Sequence, residues 1–229
     1  MERLSKQFVK KSMLSSNISV VKAVEDVSFS LYNGEVLVIA GESGSGKSTI
    51  AKLILGAIDP DSGEIFFEGK KSNDEPNILK KIRMQCQMVY KDPYESINPR
   101  MKVGDIVSEP LQIHNIGNDL ERKKMIMDAL KEVKLEPTEE IVEKYPHMLS
   151  GGQRQRVVLA RALIMRPKII IADEPVSMLD VSIRAEILEL MKEIQKNNNI
   201  SFIYITHDLA TAKYFGQNII ILSLGKIME

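Results

Sequence analysis

The sequence predicts an α/β fold, a mostly parallel sheet with crossover helices and a helical insert. Three observations predict it. A glycine-rich block, GESGSGKST at residues 41–49, sits between a continuous apolar run and a stretch of helical spacing. Short apolar runs at 168–173, 201–206 and 218–225 alternate with helical stretches, as in a parallel sheet wound by helices. Between 92 and 152 the chain turns charged and helical in spacing, punctuated by Pro93, Pro99, Pro110, Pro137 and Pro146.

The elements follow in order. AVEDVSFSLY, residues 23–32, alternates with period two and reads as a half-buried strand. Asn33-Gly34 is a turn signal. EVLVIA, residues 35–40, is apolar throughout, which suits a central strand buried on both faces. TIAKLILGAI, residues 49–58, reads as a helix ended by Asp59-Pro60-Asp61-Ser62-Gly63. EIFFEG (64–69) and CQMVY (86–90) read as short strands, and residues 103–114 and 120–133 as helices of the insert.

Bulk properties narrow the function. The chain has 229 residues, enough for a well-buried core. Its formal net charge is zero, so no global field draws it to nucleic acid or an acidic membrane surface. Cys86 is the only cysteine, which rules out an internal disulfide and a cysteine-rich metal site and agrees with a reducing cytoplasm. The first 17 residues lack the apolar core of a secretory signal. No apolar run approaches the ~18 residues of a membrane span, so a membrane role is expected only through a partner.

The block at 41–49 matches G-x-x-x-x-G-K-[ST], with Gly41, Gly46, Lys47 and Ser48 in the fixed places. Gly41, Gly44 and Gly46 permit a backbone that wraps a polyphosphate. Its N–H groups and the following helix N-terminus then converge on phosphate oxygens. Lys47 supplies positive charge at the β and γ phosphates, and the Ser48 hydroxyl is a Mg²⁺ ligand. Glu42, Ser43, Ser45 and Thr49 complete the candidate nucleotide-binding loop. A flexible Gly/Ser loop is the bland alternative, and the motif alone does not separate a transport ATPase from a GTPase or a small-molecule kinase.

KIIIADEP puts Asp173 and Glu174 at the C-terminal end of a buried strand, the sheet edge where ligands bind in open α/β folds. Two carboxylates there are costly unless a cation or a proton transfer uses them. Asp173 suits a Mg²⁺-associated acid, and Glu174 a general base for an attacking water. An Asp-Glu-Pro turn capping the next helix is the alternative.

LSGGQRQRVVLARAL, residues 149–163, resembles the signature motif and helix of ATP-binding-cassette ATPases. The resemblance covers nearly the whole chain. It implies a P-loop NTPase core (RecA-like), with an N-terminal antiparallel β subdomain and an inserted α-helical subdomain. In this division residues 1–91 and 153–229 form the nucleotide-binding core, and 92–152 the helical subdomain with docking segment and signature motif. It further implies ATP and Mg²⁺ as cofactors, and a head-to-tail dimer. There Ser150, Gly151, Gly152 and Gln153 of one subunit meet the γ-phosphate held by the other. Asp180, in SMLD at 177–180, stands where the family joins its subunits, and His207 matches the histidine that contacts the γ-phosphate. Phe8 is the candidate for the adenine-stacking aromatic, from a loop before the first strands, with an insertion near residues 10–19; Tyr32 is second.

The segment KDPYESINPR at 91–100, with EPL at 109–111 and YPH at 145–147, resembles the peptide and nickel import branch. That likeness implies an energy-coupling ATPase subunit at the cytoplasmic face of the cell membrane. Its permease subunits dock near residues 91–111, and a solute-binding protein takes part indirectly. Two departures stand out. Lys91 occupies the place of a glutamine that contacts Mg²⁺ and the attacking water. A protonated lysine cannot accept a hydrogen bond, so Lys91 is expected to pair with Glu174 or a phosphate and to weaken hydrolysis or coupling. The family also continues past the last strand, where this sequence stops at Glu229. The other readings are a soluble cassette ATPase acting on nucleic acid or the ribosome, and an ATP-binding partner subunit with weak hydrolysis. The first lacks the long coiled-coil insert or second cassette of such proteins, so no nucleic-acid partner is expected.

Overall fold

A computed structural model describes residues 1–11, 18–72 and 76–229. The chain begins with strands β1 (Glu2–Lys11), β2 (Ile18–Val27) and β3 (Val36–Ala40), followed by helix α1 (Lys47–Ile54). Three short strands come next, β4 (Ser62–Glu64), β5 (Phe66–Phe67) and β6 (Lys70–Lys71), then helix α2 (Pro76–Gln85) and strand β7 (Cys86–Val89). A helical stretch holds α3 (Pro93–Ser96), α4 (Val103–Ile113), α5 (Asp119–Glu132), α6 (Thr138–Ile141), a 3₁₀ turn at Pro146–Met148 and α7 (Gly151–Leu163). Strand β8 (Ile169–Asp173), helix α8 (Val181–Asn198), strand β9 (Ser201–Thr206), helix α9 (Leu209–Phe215) and strands β10 (Asn218–Ser223) and β11 (Lys226–Ile227) close the chain.

Two compact units result, one of Met1–Met84 with Ile203–Glu229, the other of Gln85–Phe202. In the first, β3 is buried along its whole length, as a run without polar residues requires. It pairs in parallel with β10, Val38 opposite Ile219 and Ile39 opposite Ile220. Helix α1 buries Ile50, Ala51 and Leu53. Tyr204 and Phe215 pack edge to face at 5.1 Å between centroids. A three-stranded antiparallel sheet, β2-β1-β4, belongs to the same unit. Asp61 ties its edge: the backbone N–H of Gln7 donates to Asp61 Oδ2 at 2.6 Å, and Lys6 Nζ to Oδ1 at 2.8 Å.

The second unit is built on the parallel pair β7 and β8, Cys86 opposite Ile169 and Val89 opposite Ala172. Helix α7 is its centre, burying Val157, Val158, Leu159, Ala162 and Leu163. The first turn of α4 is fixed by Val103 N–H on the carbonyl of Lys144 and Gly104 N–H on that of Val142, at 2.9 and 3.0 Å.

The fold differs from the sequence reading in several places, among them the helix expected over 49–58, which ends at Ile54. Periodicity predicts no strand over β1, because Leu4 is buried there while its neighbours are polar or exposed. The strand exists through partners on both edges, Phe8 opposite Val21 and Glu2 opposite Glu64. The strand expected over 23–32 ends at Val27; beyond it the Tyr32 N–H donates to Glu35 Oε2 at 2.7 Å, within the turn around Gly34. The strand expected over 64–69 divides into β4 and β5. Helix α2 forms where the sequence pattern predicts no element. The expected insertion near residues 10–19 falls partly on 12–17, outside the described residues; around it Lys10 pairs with Ser19 and Lys11 with Ile18.

Candidate functional site

The glycine-rich loop leaves the end of β3 and enters α1. Gly46, the residue before that helix, has φ 107°, a conformation open to glycine. A Cβ on it would lie 2.1 Å from the carbonyl oxygen of Ala23, and one on Gly41 the same distance from that of Leu222. Strands β2 and β10 therefore press their backbones against the loop. The Gly225 N–H adds a bond to the Ser45 carbonyl at 3.0 Å. No side chain caps α1, which leaves its first-turn amides to an incoming anion.

Lys47 is 6% exposed. Its ammonium donates to the carbonyls of Gly41 at 2.8 Å and Glu42 at 2.7 Å, and lies 3.4 Å from Ser45 Oγ. The loop thus closes around a cation that it also supplies. Glu42, Ser43, Gly44 and Ser48 are exposed and Thr49 half-buried. His207 follows β9 and is exposed. Thr206, just before it, accepts the Gly41 N–H at 3.3 Å, so the loop and the His207 strand end meet in one unit. Asp208 caps α9 through the Ala210 N–H at 2.8 Å, which fixes the backbone on the other side of His207.

In the other unit, Ile170, Ile171 and Ala172 are buried and Asp173 half-buried at the end of β8. Glu174 has φ 48°, a left-handed backbone uncommon outside glycine and frequent at functional sites. The Ser177 N–H and Oγ–H both bond its carbonyl, at 3.1 and 3.0 Å. Its side chain is 12% exposed, and Lys91 Nζ stands 2.7 Å from Oε2. Of the two contacts expected for Lys91, the one with Glu174 is formed.

Ser150 is the N-cap of α7 in a reciprocal capping box. The Gln153 N–H donates to Ser150 Oγ at 3.2 Å and the Ser150 N–H to Gln153 Oε1 at 3.0 Å. Gly151 and Gly152 form its first turn, against Leu179 and Ile183. Asp180 is the exposed N-cap of α8, without a side-chain cap bond. The signature turn and Asp180 are thus neighbours through Leu179 and Ile183. Phe8 lies on a strand instead of in a loop, 40% exposed, with Lys6 Nζ 5.9 Å from its ring centre. Tyr32 is 73% exposed.

Sequence reasoning missed the residues that hold these groups. Ala23, Leu222 and Gly225 buttress the loop through backbone atoms, which carry no side-chain signal. Arg154 and Arg161 are further supports that no motif marks. The Arg154 guanidinium covers the Tyr94 ring at 4.1 Å, and its Nε donates to the Pro146 carbonyl at 2.7 Å. Their seven-residue spacing on α7 puts them on one helix face, a signal the sequence did contain. Among the described residues no group of three His, Cys, Asp or Glu side chains is placed to hold a metal. No helix there is long and apolar enough to cross a membrane.

Comparison with known proteins shows the family and the fold. The family model described as ABC transporter matches residues 24–177. A probable peptide ABC transporter ATP-binding protein of Sinorhizobium fredii is 43% identical over 230 residues, covering 100% of this chain and 65% of the relative. An oligopeptide transport ATP-binding protein of Haemophilus influenzae is 44% identical over 221 residues, covering 96% and 66%. This chain therefore spans about two thirds of the length of those relatives. Among solved structures, an ATP-binding cassette in a dimeric, post-hydrolysis state bound to ADP and Pi superposes with a TM-score of 0.84 at 31% identity, covering 100% of this chain and 95% of that one.

Proposed function

The chain belongs to the ABC transporter family, and from that premise we propose that it is an ATP-hydrolysing, energy-coupling subunit of a peptide-type importer. The observation that carries the ATPase reading is Lys47, buried within the glycine loop at an uncapped helix start. The loop amides and Lys47 bind the phosphates, and Ser48 and Asp173 are the residues that would hold Mg²⁺. The donor chemistry fits: a hydroxyl and a carboxylate are hard oxygen ligands that leave most positions to phosphate and water. When bound, the cation neutralises charge building up on the phosphates. Glu174 takes the proton of the attacking water, and His207 donates to the γ-phosphate.

The signature turn suits a second role. Ser150 to Gln153 present a helix N-terminus and an exposed hydroxyl, which complete a nucleotide pocket on another ATPase subunit, identical or different. Asp180 joins the two subunits. Phe8 is the adenine platform. Residues 92–152 form the helical subdomain, and the segment around 91–111 receives the permease at the cytoplasmic face of the membrane, with a solute-binding protein on the far side. The names of the relatives support a peptide as cargo, and the resemblance of the segment at 91–100 keeps a related small solute such as nickel as the alternative.

The test is Glu174→Gln. Hydrolysis is expected to fall at least about a hundredfold, the usual worth of a general base, while ATP binding persists and ATP stabilises a dimer. Unchanged hydrolysis would remove Glu174 from the mechanism, and loss of ATP binding in Lys47→Ala checks the loop separately.

A further inference from the structure

The ion pair between Lys91 and Glu174 joins the proposed base to a residue that cannot replace it. We propose that Lys91 is a positioning residue that holds Glu174 Oε2 off the attacking water in the resting subunit, so that hydrolysis waits for this pair to open. The inference rests on the reading of Glu174 as the base.

The two partners are unequally held. Glu174 is mostly buried, on a left-handed backbone whose carbonyl takes two bonds from Ser177. Lys91 is 46% exposed, on a flexible four-carbon stem in the link between β7 and α3. When the pair opens, Lys91 is the side chain that moves.

The chemistry favours opening, because an adjacent cation stabilises the carboxylate against taking a proton. In hydrolysis the water oxygen forms a bond to the terminal phosphorus as the bond to the bridging oxygen breaks. The water proton passes to the Glu174 carboxylate, which becomes a carboxylic acid. An ammonium 2.7 Å from Oε2 sets a positive charge against the oxygen that would take the proton, although the contact lacks hydrogen-bond geometry. The ammonium has three donors and no lone pair, so it cannot take the proton itself.

The structure also shows what can move Lys91. Its neighbour Asp92 caps α3, accepting the Tyr94 N–H at 2.7 Å. Tyr94 is 64% exposed and stacked under Arg154, and the Ser96 carbonyl accepts from Arg161 at 2.9 Å. A displacement of α3 from its exposed face is carried to Lys91 within three residues. The same displacement strains α7, the helix that starts at Ser150.

Steady-state hydrolysis by Lys91→Met, Lys91→Gln and Lys91→Arg in the full chain tests the proposal. Without the cation, in Met and Gln, kcat is expected to rise about tenfold with KM and ATP affinity within about twofold, the signature of a step beyond ground-state binding. Lys91→Arg, which keeps a cation on the carboxylate, lacks the gain. A carbodiimide should join Lys91 to Glu174 in the nucleotide-free chain, read by mass spectrometry, and join them less with ATP bound. Equal or lower kcat in both neutral variants, or no cross-link without nucleotide, overturns the proposal. Undiminished hydrolysis in Glu174→Gln would instead overturn the reading beneath it.

Discussion

Arg161 of α7 binds Glu109 of α4 at 2.6 Å, and its other terminal nitrogen donates to the carbonyl of Ser96 at the end of α3 at 2.9 Å. One side chain therefore fastens both helices of the candidate docking segment to the helix that carries the signature turn. The ion pair is about one third exposed, and such pairs contribute little by themselves. The bond to the Ser96 carbonyl is half-buried and charge-assisted, so it contributes more. Arg161→Ala is expected to cost about 1–2 kcal/mol in urea unfolding. Arg161→Lys, which can reach only one of the two partners, should recover less than half. Limited proteolysis near residues 93–98 should quicken in parallel, and an unchanged cleavage pattern would show that α3 is held by something else.

The glycines of the phosphate loop differ in what they tolerate. Gly44 has φ 80° and open space where a methyl group would stand, whereas Gly46 would drive a Cβ to 2.1 Å from the Ala23 carbonyl. Gly44→Ala carries conformational strain alone, about 1–2 kcal/mol. Gly46→Ala adds a collision with backbone and is expected to cost more than about 3 kcal/mol. Comparing the urea midpoints of the two variants checks this order. Equal losses would mean that the β2 backbone yields where the structure has it firm.

Cys86 carries a prediction in pH. Burial pushes its thiol from 9.0 up to about 12, because the thiolate is poorly solvated beside the β7 core. Between those values the unfolded chain releases the proton and the folded chain keeps it. Stability therefore falls as pH rises from about 9 towards 12, by at most about 1.4 kcal/mol per pH unit from this group. The measurement is the difference in unfolding free energy between the parent and Cys86→Ala across that window, which cancels other titrating groups. In the folded chain the thiol should resist alkylation near pH 8 and react once urea is added. A flat difference curve would contradict the burial.

These residues also show where the sequence was legible. β3 was readable because a strand buried on both faces admits only apolar residues. The loop was readable because its glycines and Lys47 fall at the fixed places of a motif. β1 was not, since its stability lies in pairing with residues far along the chain. Nor was the buttress at Ala23 and Leu222, where backbone carbonyls make the contact and any side chain would serve. The same holds for Lys91: the sequence supplied two acceptable partners, and only packing selected Glu174. Motifs recorded the chemistry, while the supports that aim it are distributed and carry little local signal.

Ser150 separates structural from functional use of the signature turn. Its hydroxyl already accepts the Gln153 N–H in the capping box, so Ser150→Ala is expected to cost about 1 kcal/mol from the lost cap alone. That loss would occur in any helix and says nothing of ATP. Ser150→Asp is the informative variant. Aspartate caps as well as serine, and its charge also favours the positive end of α7, so stability should be kept or slightly raised. In the proposed dimer the same charge would repel a phosphate brought by another subunit. In a Glu174→Gln background, where the ATP-bound dimer accumulates, Ser150→Asp should therefore leave the chain monomeric by light scattering with ATP present, while its own loop still binds ATP. A dimer that survives the aspartate would mean that the exposed face of this turn meets no phosphate, and that Ser150 serves only as the cap of its helix.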